Sequence, residues 1–312
     1  IDKDQVIANH GPQWSAEAEA VFPICERSKI LCFSPTSTKP GVSAPYMWAF
    51  RNTVDENVLV PQTLQWVKDN YPWVKTAAIL TDIKDAYSKS LGQDTFRPKL
   101  KEFGIEVVEE VDYVTGDTDF SAHITKIKAK NPDMIAIGGT WVESANMMKE
   151  AEKQGLKVLW VGGVGFGNAR IIENTGEASE GAVHNAPNDK NATTEMNQTY
   201  VRRLLEKVPN ETPHWPAANC YDAMKMLAYA IKQANITNTA KTLAEDRQKV
   251  REELAKVKDF PGLTSADGNI TMVDMVDGKH AGDAIKKGTL IQVQNGKFVP
   301  VGEGKAAALK LR

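Results

Sequence analysis

No run in this chain approaches the roughly 20 consecutive apolar residues that a membrane-spanning helix needs, so direct membrane insertion is not expected. An excess of one charge is missing too. Lys and Arg total 38 against 40 Asp and Glu, a formal net charge of −2, so the basic footprint of a nucleic-acid partner is absent. Cysteine is scarce: Cys25, Cys32 and Cys220 make an odd count of three, with no Cys-x-x-Cys. They read as small buried residues rather than redox or metal groups, and they do not decide the compartment. Catalytic signatures are absent as well. There is no Gly-x-Ser-x-Gly elbow, no His-Glu-x-x-His and no phosphate loop, and the five histidines are scattered. Neither an enzyme, a cofactor nor a metal is expected. The opening Ile1-Asp-Lys-Asp-Gln5 is not a basic n-region followed by an apolar core. An exported protein after processing and a cytosolic one would both start this way.

What is present is ordinary for a globular protein: 42% hydrophobic and 25% charged residues over 312 positions, a length that suggests two domains. The plan is plainest between Thr115 and Gly139. Asp117 or Asp119 can cap a helix, because a short carboxylate accepts from the free N–H groups of a first turn. Phe120, Ile124 and Ile127 recur at helical spacing. Asn131-Pro132 stops that helix, since proline disfavours helical geometry in the residue before it. Met134–Ile137 then reads as a strand buried on both faces, ending in Gly138-Gly139. Ligands of open α/β sheets bind just past the carboxyl ends of such strands, which points to Thr140 and Trp141.

The same alternation runs through the chain. Strands are predicted at Gln5–Asn9, Ile30–Phe33, Thr76–Thr81, Ile105–Tyr113 and Val158–Val161, with Met47–Thr53 as a linker strand. Helices are predicted at 16–25, capped by Ser15, and at 57–70, 88–103 and 143–154. About four strand–helix alternations over 57–184 predict a parallel sheet with right-handed crossovers. Beyond Asn185 come long helices at 193–207, 217–234 and 239–256, then a hairpin, Thr289–Gln294 and Lys297–Val301 around Asn295-Gly296. Residues 303–312 read as a frayed tail. There is no internal repeat.

Eight motifs in order carry a resemblance. They are Ile7-Ala-Asn-His-Gly-Pro12 with Ser15, Phe33-Ser-Pro-Thr-Ser-Thr38, Phe50-Arg-Asn-Thr53, Asp85-Ala-Tyr87, Gly116-Asp-Thr-Asp-Phe120, Asn131-Pro-Asp-Met-Ile-Ala-Ile-Gly-Gly139, Gly176-Glu-Ala-Ser-Glu-Gly181 and Cys220-Tyr-Asp-Ala223. Over nearly the whole chain this resembles the type I periplasmic solute-binding proteins, in the branch of leucine/isoleucine/valine- and amide-binding receptors of ABC importers. The resemblance implies an α/β fold of two doubly wound parallel-sheet lobes joined by a three-stranded hinge, closing on a ligand held in the cleft between them. Crossovers are expected near Phe50–Val54, Val183–Ala186 and Pro261–Asp267. Lobe one would then hold 1–53 and 187–262, and lobe two 54–186 and 263–312. Family members carry about two more strand–helix units before Gln5, so a preceding segment is expected, without which lobe one would expose a sheet edge. The resemblance further implies a monomer in the periplasm or at the cell surface, whose partners are a small-molecule ligand and a membrane permease of an ABC importer.

It also implies a site. Ser15 matches a serine, and Thr36, Ser37 and Thr38 a loop, that hold a ligand carboxylate with neutral donors. Tyr87 matches a tyrosine of lobe two that closes over the ligand. Amino-acid-binding members place a glutamate where this chain has Val164, in Gly162-Gly-Val-Gly-Phe166. A buried ammonium without a counter-charge costs several kcal/mol. The ligand is therefore expected to carry a carboxylate or amide but no α-ammonium, unless Glu143 or Asp85 substitutes. Trp14, Trp141, Trp215 and Phe166, with Gly165 beside it, lie on predicted cleft-edge loops, which favours a hydrophobic or aromatic ligand. The alternatives are a branched-chain amino acid receptor of the same family, or the ligand-sensing domain of a receptor or regulator. The spacing Gly163-x-Gly165-x-Gly167 is too weak a match to suggest a dinucleotide.

Overall fold

A computed structural model describes residues 3–188, 192, 194–210, 213–301 and 306. The tail read at 303–312 lies outside these apart from residue 306. In chain order the elements begin β1 (Ala8–His10), α1 (Ser15–Arg27), β2 (Leu31–Ser34), β3 (Ala49–Arg51), α2 (Glu56–Asn70) and β4 (Thr76–Asp82). Next come α3 (Ala86–Lys89), a π-helical stretch (Ser90–Phe96), α4 (Arg97–Glu102), β5 (Glu106–Tyr113), α5 (Ser121–Lys128), β6 (Met134–Gly138) and α6 (Trp141–Lys153). Then follow β7 (Leu159–Gly162), α7 (Arg170–Thr175), β8 (Val183–Ala186), α8 (Glu195–Lys207), α9 (Trp215–Ala234) and α10 (Leu243–Ala255). The last strands are β9 (Phe260–Pro261), β10 (Asn269–Val276), β11 (Lys279–Ile285), β12 (Thr289–Gln294) and β13 (Lys297–Pro300).

The chain forms two compact units, Ile1–Asp55 with Pro187–Gly288, and Glu56–Ala186 with Thr289–Arg312. The first contains a sheet in the order β1-β2-β3-β11-β10-β9. β1, β2, β3 and β11 run parallel. Side chains alternate across a strand, so successive residues of β2 serve opposite faces. Leu31 and Phe33 join Met226, Leu227 and Val250 of α9 and α10, while Cys32 joins Ala18, Phe22 and Cys25 of α1. Burial on both faces explains why β2 reads as a continuous apolar run.

Residues 263–288 depart from the expected division, which placed them in lobe two. β10 and β11 pair with each other, and β11 pairs with β3 through Asp283 and Arg51. The cause is electrostatic. The Arg51 guanidinium is fully buried and donates to Asp283 through Nε and Nη2, both at 2.6 Å. A buried cation fixes its partner strand, because leaving it unpaired costs several kcal/mol. The third crossing thus falls at 288–289 rather than at Pro261–Asp267.

In the second unit the order is β13-β12-β8-β7-β6-β4-β5, with the five strands from β8 to β5 parallel. The expected hairpin is present. β12 pairs antiparallel with β8 and β13, and Asn295 and Gly296 have φ of 52° and 67°, as a tight hairpin turn requires. The core contains Phe120, Ile124 and Ile127, the face read from spacing, with Ile135, Ile137, Met147 and Trp160. Asp119 accepts from Ser121 N at 2.9 Å at the start of α5.

Three local readings shift. β1 starts at Ala8 rather than Gln5, because the Val6 carbonyl is taken by the Arg247 guanidinium at 2.8 and 3.0 Å. The helix predicted at 88–103 widens into π turns over Ser90–Phe96. There Gly92 packs so closely that a Cβ would lie 2.2 Å from Thr81 Oγ1. Ser15 is the first helical residue of α1 rather than its cap, a position held by Trp14. Among the described residues no helix is long and apolar enough to cross a membrane.

His184 on β8 yields a pH prediction. Its ring lies between Phe166 and Phe298, at centroid distances of 5.7 and 5.0 Å, and burial pushes its pKa down to about 4. The unfolded chain therefore binds this proton first as pH falls. Stability from His184 is fully present above pH 6.5 and is lost on the way to 4. Urea unfolding of wild type and His184→Met should diverge in slope over that window, the histidine's share being on the order of 3 kcal/mol. Identical slopes would contradict its burial as a neutral ring.

Candidate ligand-binding site

Because β1, β2 and β3 are parallel, their carboxyl ends share one edge of the first sheet, where two loops meet. Ser34 Oγ donates to Pro12 O at 2.7 Å, and Thr36 Oγ1 donates to Gln13 O at 2.6 Å. Ser37 Oγ donates to Ser15 Oγ at 3.1 Å, and Lys39 N donates to the same oxygen at 3.3 Å. A hydroxyl that accepts twice still has its own proton to donate. Ser15, Thr36, Ser37 and Thr38 are all buried. Beneath them Arg51 Nη1 donates to Ser37 O at 3.1 Å and Lys39 O at 2.6 Å, which fixes the loop's backbone. The first turn of α1 adds backbone N–H groups without acceptors of their own in the helix. Neutral donors thus converge at Ser15. Trp14 beside it is 54% exposed, and Trp215 opens α9.

The second unit builds a different cluster. Tyr87 Oη donates to Glu56 Oε1 at 2.9 Å and accepts from Gly165 N at 3.0 Å. Val164 N donates to the same carboxylate oxygen at 3.0 Å. Burial, followed by the charge of Glu56, holds the Tyr87 phenol well above its usual pKa, so it remains a donor. The glycines permit this approach. A Cβ on Gly163 would lie 2.7 Å from both Glu56 Oε1 and Tyr87 Oη. The Gly-rich run therefore serves close packing here.

Glu56 is the residue that sequence reasoning missed. The loop at Val164 contains no acid, yet a fully buried carboxylate from the first turn of α2 stands against it. Its signal was slight: an acid opening a helix, 108 positions away. The two substitutes considered have local partners. Asp85 Oδ2 accepts from Ser88 N and Oγ, both at 2.8 Å, and Glu143 accepts from Gly116 N and Thr140 Oγ1, both at 3.1 Å.

The remaining candidates divide. Thr140 sits at the N-cap of α6 and Trp141 follows it, half-buried against the core. Phe166 differs from its expected place on a cleft edge. It is fully buried in the core, because the turn over Val164–Phe166 drives its ring toward His184. Val164 is buried too and acts through its backbone N–H. Among the described residues no group of three or more His, Cys, Asp and Glu could hold a metal ion.

Tyr87→Phe should destabilise the protein by about 1–3 kcal/mol in urea unfolding, because it removes one oxygen that serves both Glu56 and Gly165. An unchanged midpoint would show that the phenol is not an anchor.

The profile of the periplasmic binding protein family matches residues 1–297. The leucine-, isoleucine-, valine-, threonine- and alanine-binding protein of Pseudomonas aeruginosa is 28% identical over 174 residues, which are 55% of this chain and 46% of that one. The Leu/Ile/Val-binding protein BraC3 of Rhizobium johnstonii is 26% identical over 266 residues, 84% of this chain and 67% of that one. The chain thus spans about half the length of the first of these relatives. Among solved structures, the leucine-binding protein LivK of Thermotoga maritima superposes with a TM-score of 0.82 at 29% identity, over 96% of this chain and 80% of that one. A solute-binding protein of an ABC transporter from R. palustris, in complex with benzoate, shares the fold with a TM-score of 0.81 at 16% identity, over 100% of this chain and 81% of that one. With the profile matched over nearly all its length, the chain belongs to the periplasmic binding protein family.

Proposed function

We propose that this protein is the extracytoplasmic solute receptor of an ABC importer, and that it binds a small carboxylate with an apolar or aromatic body. The observation that carries the reading is that Ser37 Oγ and Lys39 N both donate to Ser15 Oγ at the start of α1, which turns the Ser15 proton and the first-turn N–H groups into neutral donors suited to a carboxylate. In this reading the two compact units are the receptor's lobes. The ligand's carboxylate takes the Ser15 cluster of one, its body meets the Tyr87 and Thr140 region of the other, and the closed form docks on a membrane permease. Glu56, Asp85 and Glu143 each accept from donors of their own unit. That pattern favours a ligand without an α-ammonium.

One observation supports a second reading, a branched-chain amino acid as ligand. The Glu56 carboxylate stands at the Val164 loop, where a counter-charge for an ammonium belongs. Several relatives, BraC3 among them, are named for leucine, isoleucine and valine.

Calorimetric titration with leucine, 4-methylpentanoate and benzoate separates the two. Tighter binding of 4-methylpentanoate or benzoate than of leucine is expected, and Ser15→Ala should weaken it by about 1–3 kcal/mol. Binding of leucine alone would transfer the conclusion to the second reading. Affinity unchanged in Ser15→Ala would remove the carboxylate site from α1.

A further inference from the structure

Lys286 follows directly on β11 and is buried, with 7% of its surface exposed. Its Nζ donates to Thr264 Oγ1 at 2.6 Å, Asn52 O at 2.8 Å and Asn219 Oδ1 at 3.3 Å. Three acceptors match the three protons of an ammonium; a neutral amine has only two. Two of those partners hold the Ser34–Lys39 loop at its root. Asn52 N donates to Ser34 O at 2.8 Å, and Asn219 Nδ2 donates to Pro35 O at 3.0 Å. Asn52 Nδ2 also donates to Asn219 O at 2.9 Å, which locks the two together. A single buried cation therefore holds both residues that hold consecutive carbonyls of the loop. All of these groups lie in the first unit.

The surrounding charges are few. From α9, Asp222 accepts from Thr264 N and Oγ1 at 2.8 and 2.7 Å. Its other oxygen is buried with no hydrogen-bond partner among the described residues. On β3, Arg51 is tied to Asp283 and Asp55, and in the loop before β10 Asp267 is tied to Lys287. A buried charge is expensive unless it serves something, and an apolar side chain here would leave three acceptors unsatisfied.

We propose that Lys286 is a positioning residue for the carboxylate half-site: its ammonium fixes the root of the Ser34–Lys39 loop through Asn52 and Asn219, and adds the positive potential that neutral hydroxyls lack. The inference rests on the receptor reading above. It has a consequence for pH. Burial pushes the Lys286 pKa down to about 7, against the pull of Asp222. An anion bound at the loop favours the charged form and raises that pKa. Affinity is therefore greatest below 7 and declines as pH rises and the free protein loses the proton.

The test is calorimetric titration of leucine, 4-methylpentanoate and benzoate between pH 6 and 8.5, with wild type, Lys286→Met and Lys286→Arg. Wild-type affinity for the carboxylate that binds should fall about five- to tenfold over that range. Lys286→Met should bind more weakly at pH 6 and show no slope. Lys286→Arg, whose charge does not titrate in this range, should also lose the slope. If Lys286→Met does not fold, the wild-type and Lys286→Arg profiles decide. A bound carboxylate with a flat wild-type profile, or the same slope in all three proteins, overturns the role of Lys286 and leaves the receptor reading standing. Failure of all three ligands to bind at any pH overturns both.

Discussion

The buried guanidinium of Arg51 is the constraint on which the first unit depends. It has no exposed surface, so its charge must be answered inside the protein. Asp283 answers it in bidentate form, which registers β11 against β3. The remaining donors hold Ser37 O and Lys39 O. One side chain thus joins a strand pairing to the shape of the Ser34–Lys39 loop. Asp283 keeps 27% of its side-chain surface exposed, but removing it would leave the guanidinium buried without its bidentate partner. Strand pairing and loop shape here are consequences of one electrostatic requirement.

The two units solve different problems. In the first unit the hydroxyls of Ser15, Thr36, Ser37 and Thr38 are buried, and the cations Arg51 and Lys286 are tied to backbone carbonyls, Arg51 to those of Ser37 and Lys39 and Lys286 to that of Asn52. In the second unit the charge is negative, and the Glu56 carboxylate is tied to a phenol and a loop N–H across glycines that allow contact.

Much of this was legible in the sequence, and the reason is local. Phe120, Ile124 and Ile127 lie within three turns of one helix, and Asn295-Gly296 fixes its hairpin by backbone conformation alone. The loop of Thr36, Ser37 and Thr38 was placed on the same sheet edge as Ser15 because strand ends and the loops after them are sequence-near, whereas their role toward a ligand came only from the family resemblance. What escaped depends on pairing across long distances. The strands of 269–285 alternate as a hairpin should, but nothing local says which sheet they join; Arg51, 232 positions away, decides it. Glu56 and Lys286 look like ordinary helix-start and strand-end charges until their distant partners are in place. Phe166 looked like a loop aromatic because a single turn of 3-10 helix determines whether its ring faces solvent or His184.

The most direct measurement is a crystal structure of the protein with benzoate or leucine bound. The account places the carboxylate oxygens within about 3 Å of Ser15 Oγ and of donors in the Ser34–Lys39 loop. A ligand bound with its carboxylate elsewhere, and those hydroxyls still bonded only to one another, would contradict it.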